Sequence, residues 1–593
     1  MLRRLAVLFL SALLLLTSAT PVGAAAAPAP KVTLAEAVAA AKTAFPVPPA
    51  FSEFDSSFTS YGDQPRWELN WHAPDGSATP GSLNVTVDAN TKDILEMHTW
   101  QEDRTPRPPV PKYSRAEAEK VACEFARRLQ PLYAETRPAP EPAVRPYWGG
   151  WESQYSFVFE RVVNGVPFAQ NGINVEVDGN TLKVVGYRFN WNRDQEFPAP
   201  AKAIDAAKAR AAFLGKAAPR LIYFRPTPEG EGEKERPVLL VYDAQNASRY
   251  GVDALTSKVI PLEPYWYGPY GKGDMGGGEP QRAASMPKEV PLTPAEQAEV
   301  EKLADFLSQE EALAKAEAVV QVPADYKLES ASLSKNWEYP AERQWNFNWT
   351  LNPKEPDKKS GHFNVQLDAK SGELLSFSHY TWDPSQDTKE PNAKYNEEQA
   401  KKRAVDFVTE LQAERFAACK EEPKEPAPII LLEKKPVKPR SYSFQWVRQV
   451  NAVPFPQQGF WVSVDAVTGE ITSYRMNWYD LNFPKPEGLL SQEQASDILL
   501  KASPLELEYV PVPDENFKPG PGRVGPVRLV YRLRGRDDAR RFDAKTGAAL
   551  DWNGNPLPDE KPAAFSDIAG HAAASDIALL AERQIVTGSP DGK

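Results

Sequence analysis

The chain repeats itself, and this constrains its fold more than any other feature. Trp67-Glu68-Leu69-Asn70-Trp71 returns as Trp345-Asn346-Phe347-Asn348-Trp349. Tyr155-Ser156-Phe157 returns as Tyr442-Ser443-Phe444, and Asn164-Gly165-Val166-Pro167-Phe168 as Asn451-Ala452-Val453-Pro454-Phe455. Tyr187-Arg188-Phe189-Asn190-Trp191 matches Tyr474-Arg475-Met476-Asn477-Trp478, and residues 237–242 match 526–531. The order is kept and the offset drifts slowly, as small loop insertions in two copies of one architecture would produce.

A shorter repeat lies inside each copy. Six strands end in aspartate before a turn, at Asp88, Asp178, Asp253, Asp368, Asp465 and Asp543. The clearest turns are Asp465-Ala466-Val467-Thr468-Gly469 and Asp543-Ala544-Lys545-Thr546-Gly547. Aspartate opens a turn by accepting backbone N–H groups, and glycine takes the positive φ at its end. Alternating apolar residues such as Phe363, Val365 and Leu367 flank the turn, which is a hairpin signal. Helical spacing precedes most hairpins, over 34–45, 114–133, 203–214, 292–320, 396–419 and 491–501. Ser491-Gln492-Glu493-Gln494 offers a capping box.

The pattern predicts an α+β fold. Each unit is a helix on a small antiparallel sheet, with three units per copy and two similar lobes. The expected boundaries are 31–275 for the first repeat, 276–292 for a linker and 293–553 for the second repeat. Gly271 to Gly278 reads as a hinge between copies rather than a phosphate loop, because no strand-before, helix-after context frames it.

The first residues predict export. A basic start at Arg3 and Arg4 precedes an apolar run and the small residues Val22 and Ala24. This is the layout of a signal peptide over residues 1–24, with no membrane segment remaining after cleavage. A net charge of −11 without a basic stripe argues against nucleic acid. Export permits disulfides, but Cys123 and Cys419, the only cysteines, occupy unmatched places in the two copies. A buried thiol is the plainer reading of Cys123, and a long-range bridge stays open.

The hairpin Val-Asp-Ala-x-Thr-Gly after an amphipathic helix resembles the PepSY module of metallopeptidase propeptides. Asn-Gly-Val-Pro-Phe, a strand into Val-Asp, then Tyr-Arg-x-Asn-Trp look more like the YcdB/YcdC repeat of Gram-positive bacteria. The resemblance implies an exported or surface-held protein, with a protease-modulating role carried over from PepSY.

Residues 565–593 resemble the first half of an S-layer homology motif, which holds proteins to secondary wall polysaccharide. Phe565-Ser566-Asp567-Ile568-Ala569-Gly570-His571 opens it, and Gly588 and Pro590-Asp591-Gly592 follow. The usual tryptophan after the histidine is Ala572. By this resemblance Asp567, His571, Gly588 and Asp591 would contact a wall polymer.

Catalytic patterns are lacking. His72, His98, His362, His379 and His571 are scattered, with no His-Glu-x-x-His pair, no nucleophile elbow and no phosphate loop. Neither a metal nor another cofactor is expected. The matched carboxylates read as turn formers. Trp71, Trp191, Trp349 and Trp478 fall on strands whose aromatic face is either a core against the helix or a stacking platform for glycan or peptide. The expectation is a non-enzymatic envelope protein that binds wall polysaccharide, an envelope protein or a protease. An inhibitor or chaperone of a secreted thermolysin-type metallopeptidase is the alternative, and an unrecognised hydrolase a third.

Overall fold

The computed structural model describes residues 30–61, 64–102, 110–140, 153–226, 236–262, 305–335, 342–351, 359–383, 392–423, 439–512, 525–535 and 540–557, and in the tail 565, 567–568, 570–582 and 585–586. The expected leader, the hinge at 271–278 and the linker lie outside these residues.

Each unit is one helix followed by four strands. The first unit is α1 (Leu34–Ala44), β1 (Glu53–Tyr61), β2 (Gln64–His72), β3 (Gly81–Asp88) and β4 (Ile94–Gln101). The second is α2 (Arg115–Leu129), β5 (Thr136–Pro138), β6 (Gln154–Val163), β7 (Val166–Asp178) and β8 (Val184–Asn190). The third is α3 (Ala206–Ala217), β9 (Arg220–Phe224), β10 (Leu239–Asp243), β11 (Tyr250–Asp253) and β12 (Val259–Pro261).

The second copy repeats this order. Its first unit is α4 (Gln309–Val319), β13 (Lys327–Lys335), β14 (Arg343–Leu351), β15 (Ser360–Asp368) and β16 (Leu374–Trp382). Its second is α5 (Glu397–Ala417), β17 (Cys419–Glu421), β18 (Ser441–Val450), β19 (Val453–Asp465) and β20 (Ile471–Asn477). Its third is α6 (Gln492–Ala502), β21 (Leu505–Pro511), β22 (Val527–Leu533), β23 (Arg541–Asp543) and β24 (Ala549–Leu550). A tail helix, α7 (Ala574–Glu582), follows.

Helix starts are encoded locally. Thr33, Ser114, Ser308, Asn396 and Ser491 each close a capping box, with Glu36, Glu117, Glu311, Gln399 and Gln494 returning the bond. Alanine pairs one turn apart, such as Ala37 with Ala41 and Ala312 with Ala316, are fully buried and let the helices approach the sheets closely.

All six aspartate turns are built alike. One carboxylate oxygen accepts the N–H groups two and three residues on, at 2.7–3.1 Å. The residue four places on is left-handed, with φ from +55° at Leu182 to +75° at Gly469. The carbonyl just after the aspartate then receives the N–H of the segment leading into the unit's helix. Val32 donates to Ala89, Tyr113 to Gly179 and Ile204 to Ala254. Leu307 donates to Ala369, Tyr395 to Ala466 and Leu490 to Ala544. Each turn thus ties a helix to its sheet.

The units do not stay separate. The first two units of each copy fuse through one edge pairing into an eight-stranded antiparallel sheet, ordered β1-β2-β3-β4-β8-β7-β6-β5 in the first copy and β13-β14-β15-β16-β20-β19-β18-β17 in the second. These sheets, each with two helices on one face, are the two similar lobes, and each has its own core.

The third units differ from the expected self-contained sheets. The four-strand meander opens between its second and third strands, and the halves are exchanged between copies. One sheet runs β24-β23-β10-β9 and the other β12-β11-β22-β21. Val241 pairs with Asp543, and Val252 with Tyr531. Phe213, Tyr223, Leu499 and Phe542 from both copies share one core.

Helix limits also depart from sequence spacing: among its described residues the 292–320 stretch is helical only over Gln309–Val319, because Ser308 caps the helix there. The 396–419 stretch is interrupted by non-helical Gln412, and Cys419 opens β17 rather than ending the helix. Both cysteines are free thiols, so no long-range bridge forms.

Candidate functional site

The repeated motifs divide into residues that hold the fold and residues that face outward. Trp67 and Trp345 donate their indole N–H to the carbonyls of Val32 and Leu307, at 2.8 and 2.9 Å, and so pin the helix lead-ins. Trp71 and Trp349 are buried beneath the helices. A buried indole offers no face to a ligand, which removes these two from the aromatic platform. Trp191 and Trp478 are half-buried, and their rings are covered by Arg161 at 4.6 Å and Arg448 at 4.4 Å. Asn190 and Asn477 beside them donate to the carbonyls of Gln170 and Gln457, each at 2.8 Å.

The Asn-x-Val-Pro-Phe hairpins join the copies. Gly172 and Gly459 sit at matched bulges, with φ of +155° and +142°, where a Cβ would collide with the carbonyls of Phe159 and Trp446. There the long hairpins β6–β7 and β18–β19 depart from regular pairing. Their tips pack on the other copy's third unit. Asn164 donates to the Tyr509 hydroxyl, and Asn451 to that of Tyr223. Those hydroxyls donate in turn to the carbonyls of Pro198 and Pro484, at 2.6 and 2.7 Å. Residues that read as a signature motif therefore form a twofold-like clamp. The glycines at 172 and 459 are matched in the two copies, a signal present in the sequence and easily overlooked.

A buried charge bridge crosses the same seam. Arg534 donates to Glu160 and, at 3.3 Å, to Glu508. Burial raises the carboxyl of Glu508 above its ordinary value against the pull of Arg532 and Arg534, and the charge of Glu160 raises it further. The carboxylates share a cation inside a packed interface, which suits a structural bridge rather than acid–base work on a substrate.

The closest approach to a catalytic cluster is Tyr326, His379 and Thr381. The Tyr326 hydroxyl lies 3.1 Å from Nε2 of His379 and 2.9 Å from Oγ1 of Thr381. Burial lowers the imidazole's pKa, and the ring packs on Phe363. His98 lies on the opposite face of its sheet, one register position away from the equivalent of His379. His72 bonds Asp55 at 2.9 Å, and that bond raises its pKa. Burial pushes the Cys419 thiol up to about 12, so it is not an activated nucleophile. Among the described residues no group of three or more His, Cys, Asp or Glu side chains could hold a metal ion.

The large unclaimed surfaces are the helix-free faces of the two eight-stranded sheets. In the second lobe the pairing register aligns one row of small polar residues. Ser330 faces Asn348, Asn348 faces Asn364, and Asn364 faces Ser378. Across the seam between units Ser378 faces Ser473, which faces Ser463, which faces Ser443. A second row runs alongside. Ser332, Asn346, Gln366 and Ser376 lead to Arg475, Trp461 and Gln445. Cross-strand bonds along each row are short, such as Asn348 to Ser330 and Ser376 to Gln366, both 2.8 Å.

The first lobe places other chemistry at the same positions. Asp55 stands where the second lobe has Ser330, Glu68 where it has Asn346, Glu96 where it has Ser376 and Glu176 where it has Ser463. Arg188 matches Arg475 and pairs with Glu96 at 2.8 Å.

In the tail, Asp567 and His571 precede α7, and Nδ1 of His571 accepts the N–H of Ala573. Gly588 and Asp591 lie outside the described residues. Ala581 is buried, Ile577 and Leu580 are half-buried, and Ile585 is exposed.

The architecture defines an antiparallel-sheet repeat protein in two lobes whose third units are interlocked. The chain belongs to the family of the YcdB, YcdC repeated domain, which matches residues 34–191 and 309–478, more than half of its length. Those spans are the two eight-stranded lobes, so the exchanged third units lie outside the match. Among solved structures, the C-terminal domain of YpeB from Bacillus megaterium aligns with 59% of this chain and 99% of that one, at 10% identity and a TM-score of 0.22. No curated protein matches in sequence.

Proposed function

We propose that this is a non-enzymatic exported protein of the cell envelope that binds a partner through the open faces of its two lobes. The observation that carries this reading is the pair of broad polar faces, which the helices leave uncovered and the fold does not consume. The leader-like residues 1–24 support export, and the tail supports attachment to wall polysaccharide. Among the described residues no helix is long and apolar enough to cross a membrane.

Two measurements test this reading. N-terminal sequencing of the secreted chain should begin at Ala25. Co-sedimentation with Gram-positive walls should weaken when the chain ends at Pro558. An unprocessed cytoplasmic chain, or one that captures nothing from envelope extracts, would overturn it.

A second reading draws on the acidic face of the first lobe, with Asp55, Glu68, Glu96 and Glu176. Such a face suits a basic protein partner. An inhibitor of a secreted thermolysin-type metallopeptidase would slow that enzyme at equimolar dose. A folding helper would instead raise its refolding yield.

A further inference from the structure

We infer that the open face of the second lobe binds an extended, uncharged polysaccharide strand. This rests on the partner-binding reading above and names the ligand class for one of the two faces.

The chemistry of the face selects the ligand. Apart from Trp461 and Arg475, its two rows are hydroxyls and carboxamides, with Arg475 as their one formal charge and no carboxylate among them. Serine, asparagine and glutamine both donate and accept, which is what the hydroxyl and amide groups of a neutral sugar require. A charged polymer would find little compensation here, and an apolar partner would strand these polar groups without hydrogen bonds. Trp461 is half-buried with Arg475 beside its ring at 5.9 Å, and Tyr380 is 61% exposed opposite His362. These rings give sugar C–H faces something to stack on.

The geometry suits a long ligand. Each row crosses seven strands, and strands lie about 4.8 Å apart, so a row extends roughly 29 Å. Polar groups repeat along it at one strand spacing, close to the spacing of residues in an extended glycan.

The two lobes supply an internal control. The fold accepts carboxylates at these sites, because the first lobe carries Glu68, Glu96 and Glu176 where the second has Asn346, Ser376 and Ser463. In a chain with 80 acidic residues, two rows across seven strands without one are not a default, and the carboxylates of this face, Asp368 and Asp465, stand at its margin, where they close turns. Exposed sheet surfaces are normally kept soluble by charge, so two nearly uncharged rows across the middle of the face sacrifice that protection and point to use.

The test is calorimetric titration of the full chain with uncharged β-1,4-linked hexasaccharides of glucose and of N-acetylglucosamine. The comparison protein carries Asn346→Glu, Ser376→Glu and Ser463→Glu, residues that the equivalent positions already tolerate, and its thermal midpoint is measured alongside. Binding by the native chain, unchanged by added salt and at least about tenfold weaker in the variant, is expected. Three results would overturn the inference: no binding of either sugar, equal binding by a folded variant, or binding confined to an anionic polymer and lost in salt. If the face instead captures an envelope protein and no sugar, the glycan assignment fails while the partner-binding reading stands. Failure of both captures removes both.

Discussion

Ala452 shows how one residue can carry strain that its duplicate avoids. The tight turn of the first copy is Asn164-Gly165, with φ of +52° and +79°. In the second copy it is Asn451-Ala452, with φ of +49° and +63°. Two left-handed residues define the hairpin turn that prefers Asn-Gly, and a Cβ in that region is costly. Ala452 is exposed and has no packing to lose. Ala452→Gly should therefore stabilise the protein by about 1 kcal/mol, read as a raised thermal midpoint. Gly547→Val should act in the opposite sense. Its φ is +74°, and a Cβ would sit 2.6 Å from Cδ1 of Ile498. Roughly 1–3 kcal/mol of destabilisation is expected, and an unchanged midpoint would show that the turn adapts freely.

The buried bridge makes a sharper residue-scale case. Arg534 is 11% exposed and lies between Glu160 and Glu508. Replacing it with methionine leaves two buried carboxylates with only the longer contacts to Arg137 and Arg532, at 3.6 and 3.7 Å, at a cost of about 3–5 kcal/mol. The pH dependence has a definite sign. A carboxyl whose folded pKa is raised, as for Glu508, binds more protons in the folded state than in the unfolded one. Its penalty is absent below the ordinary value of about 4.3 and grows as pH rises through the folded pKa. The Arg534→Met defect should thus be large at neutral pH and shrink on acidification. A defect of equal size across that range would mean that lost packing, not uncompensated charge, is responsible.

At the scale of elements, much was legible because it is local. Alternation placed Trp67, Leu69 and Trp71 on one strand face, and the capping residues marked where helices begin. The aspartate turns were readable because side chain and backbone satisfy each other within a few residues. The exchange of β10 and β11 with β22 and β23 was not legible. A strand presents the same alternation whichever neighbour it pairs with, and these partners lie nearly three hundred positions away in the chain. The open faces were half legible. Period two marks Asn348 and Asn364 as outward, but only the register aligns them into rows across units. The clamp is testable at this scale. Tyr223→Phe and Tyr509→Phe each remove a hydroxyl that bridges an asparagine of one copy's hairpin to a proline carbonyl. Each should cost about 1 kcal/mol, and the two should add because the sites are separate. Strong non-additivity in the double variant would show that the two hairpins open as one unit.

At the scale of the whole molecule, strand exchange makes the two copies one folding unit. The first copy's β9–β10 pair is completed by β23–β24, and the second copy's β21–β22 pair by β11–β12. Neither copy alone supplies the full sheet, and each would present unpaired strand edges and an opened core at Tyr223, Leu240 and Phe542. Each large side chain withdrawn from that core forfeits roughly 1.5–3 kcal/mol. The covalent link through residues 263–304 should therefore be dispensable for holding the copies together once folded. A protease site introduced into that segment and cut in the native protein should give two fragments on a denaturing gel. The same sample should elute as one particle of the original size from a gel-filtration column and keep its thermal midpoint within a few degrees. Refolding the separated fragments one at a time should give aggregates or self-paired dimers, since the edges of β10 and β11 in one chain can complete those of another, and mixing them should restore the native particle. If the cut halves part without denaturant, the exchanged strands contribute too little to join the copies, and the lobes would be independent domains held by a tether.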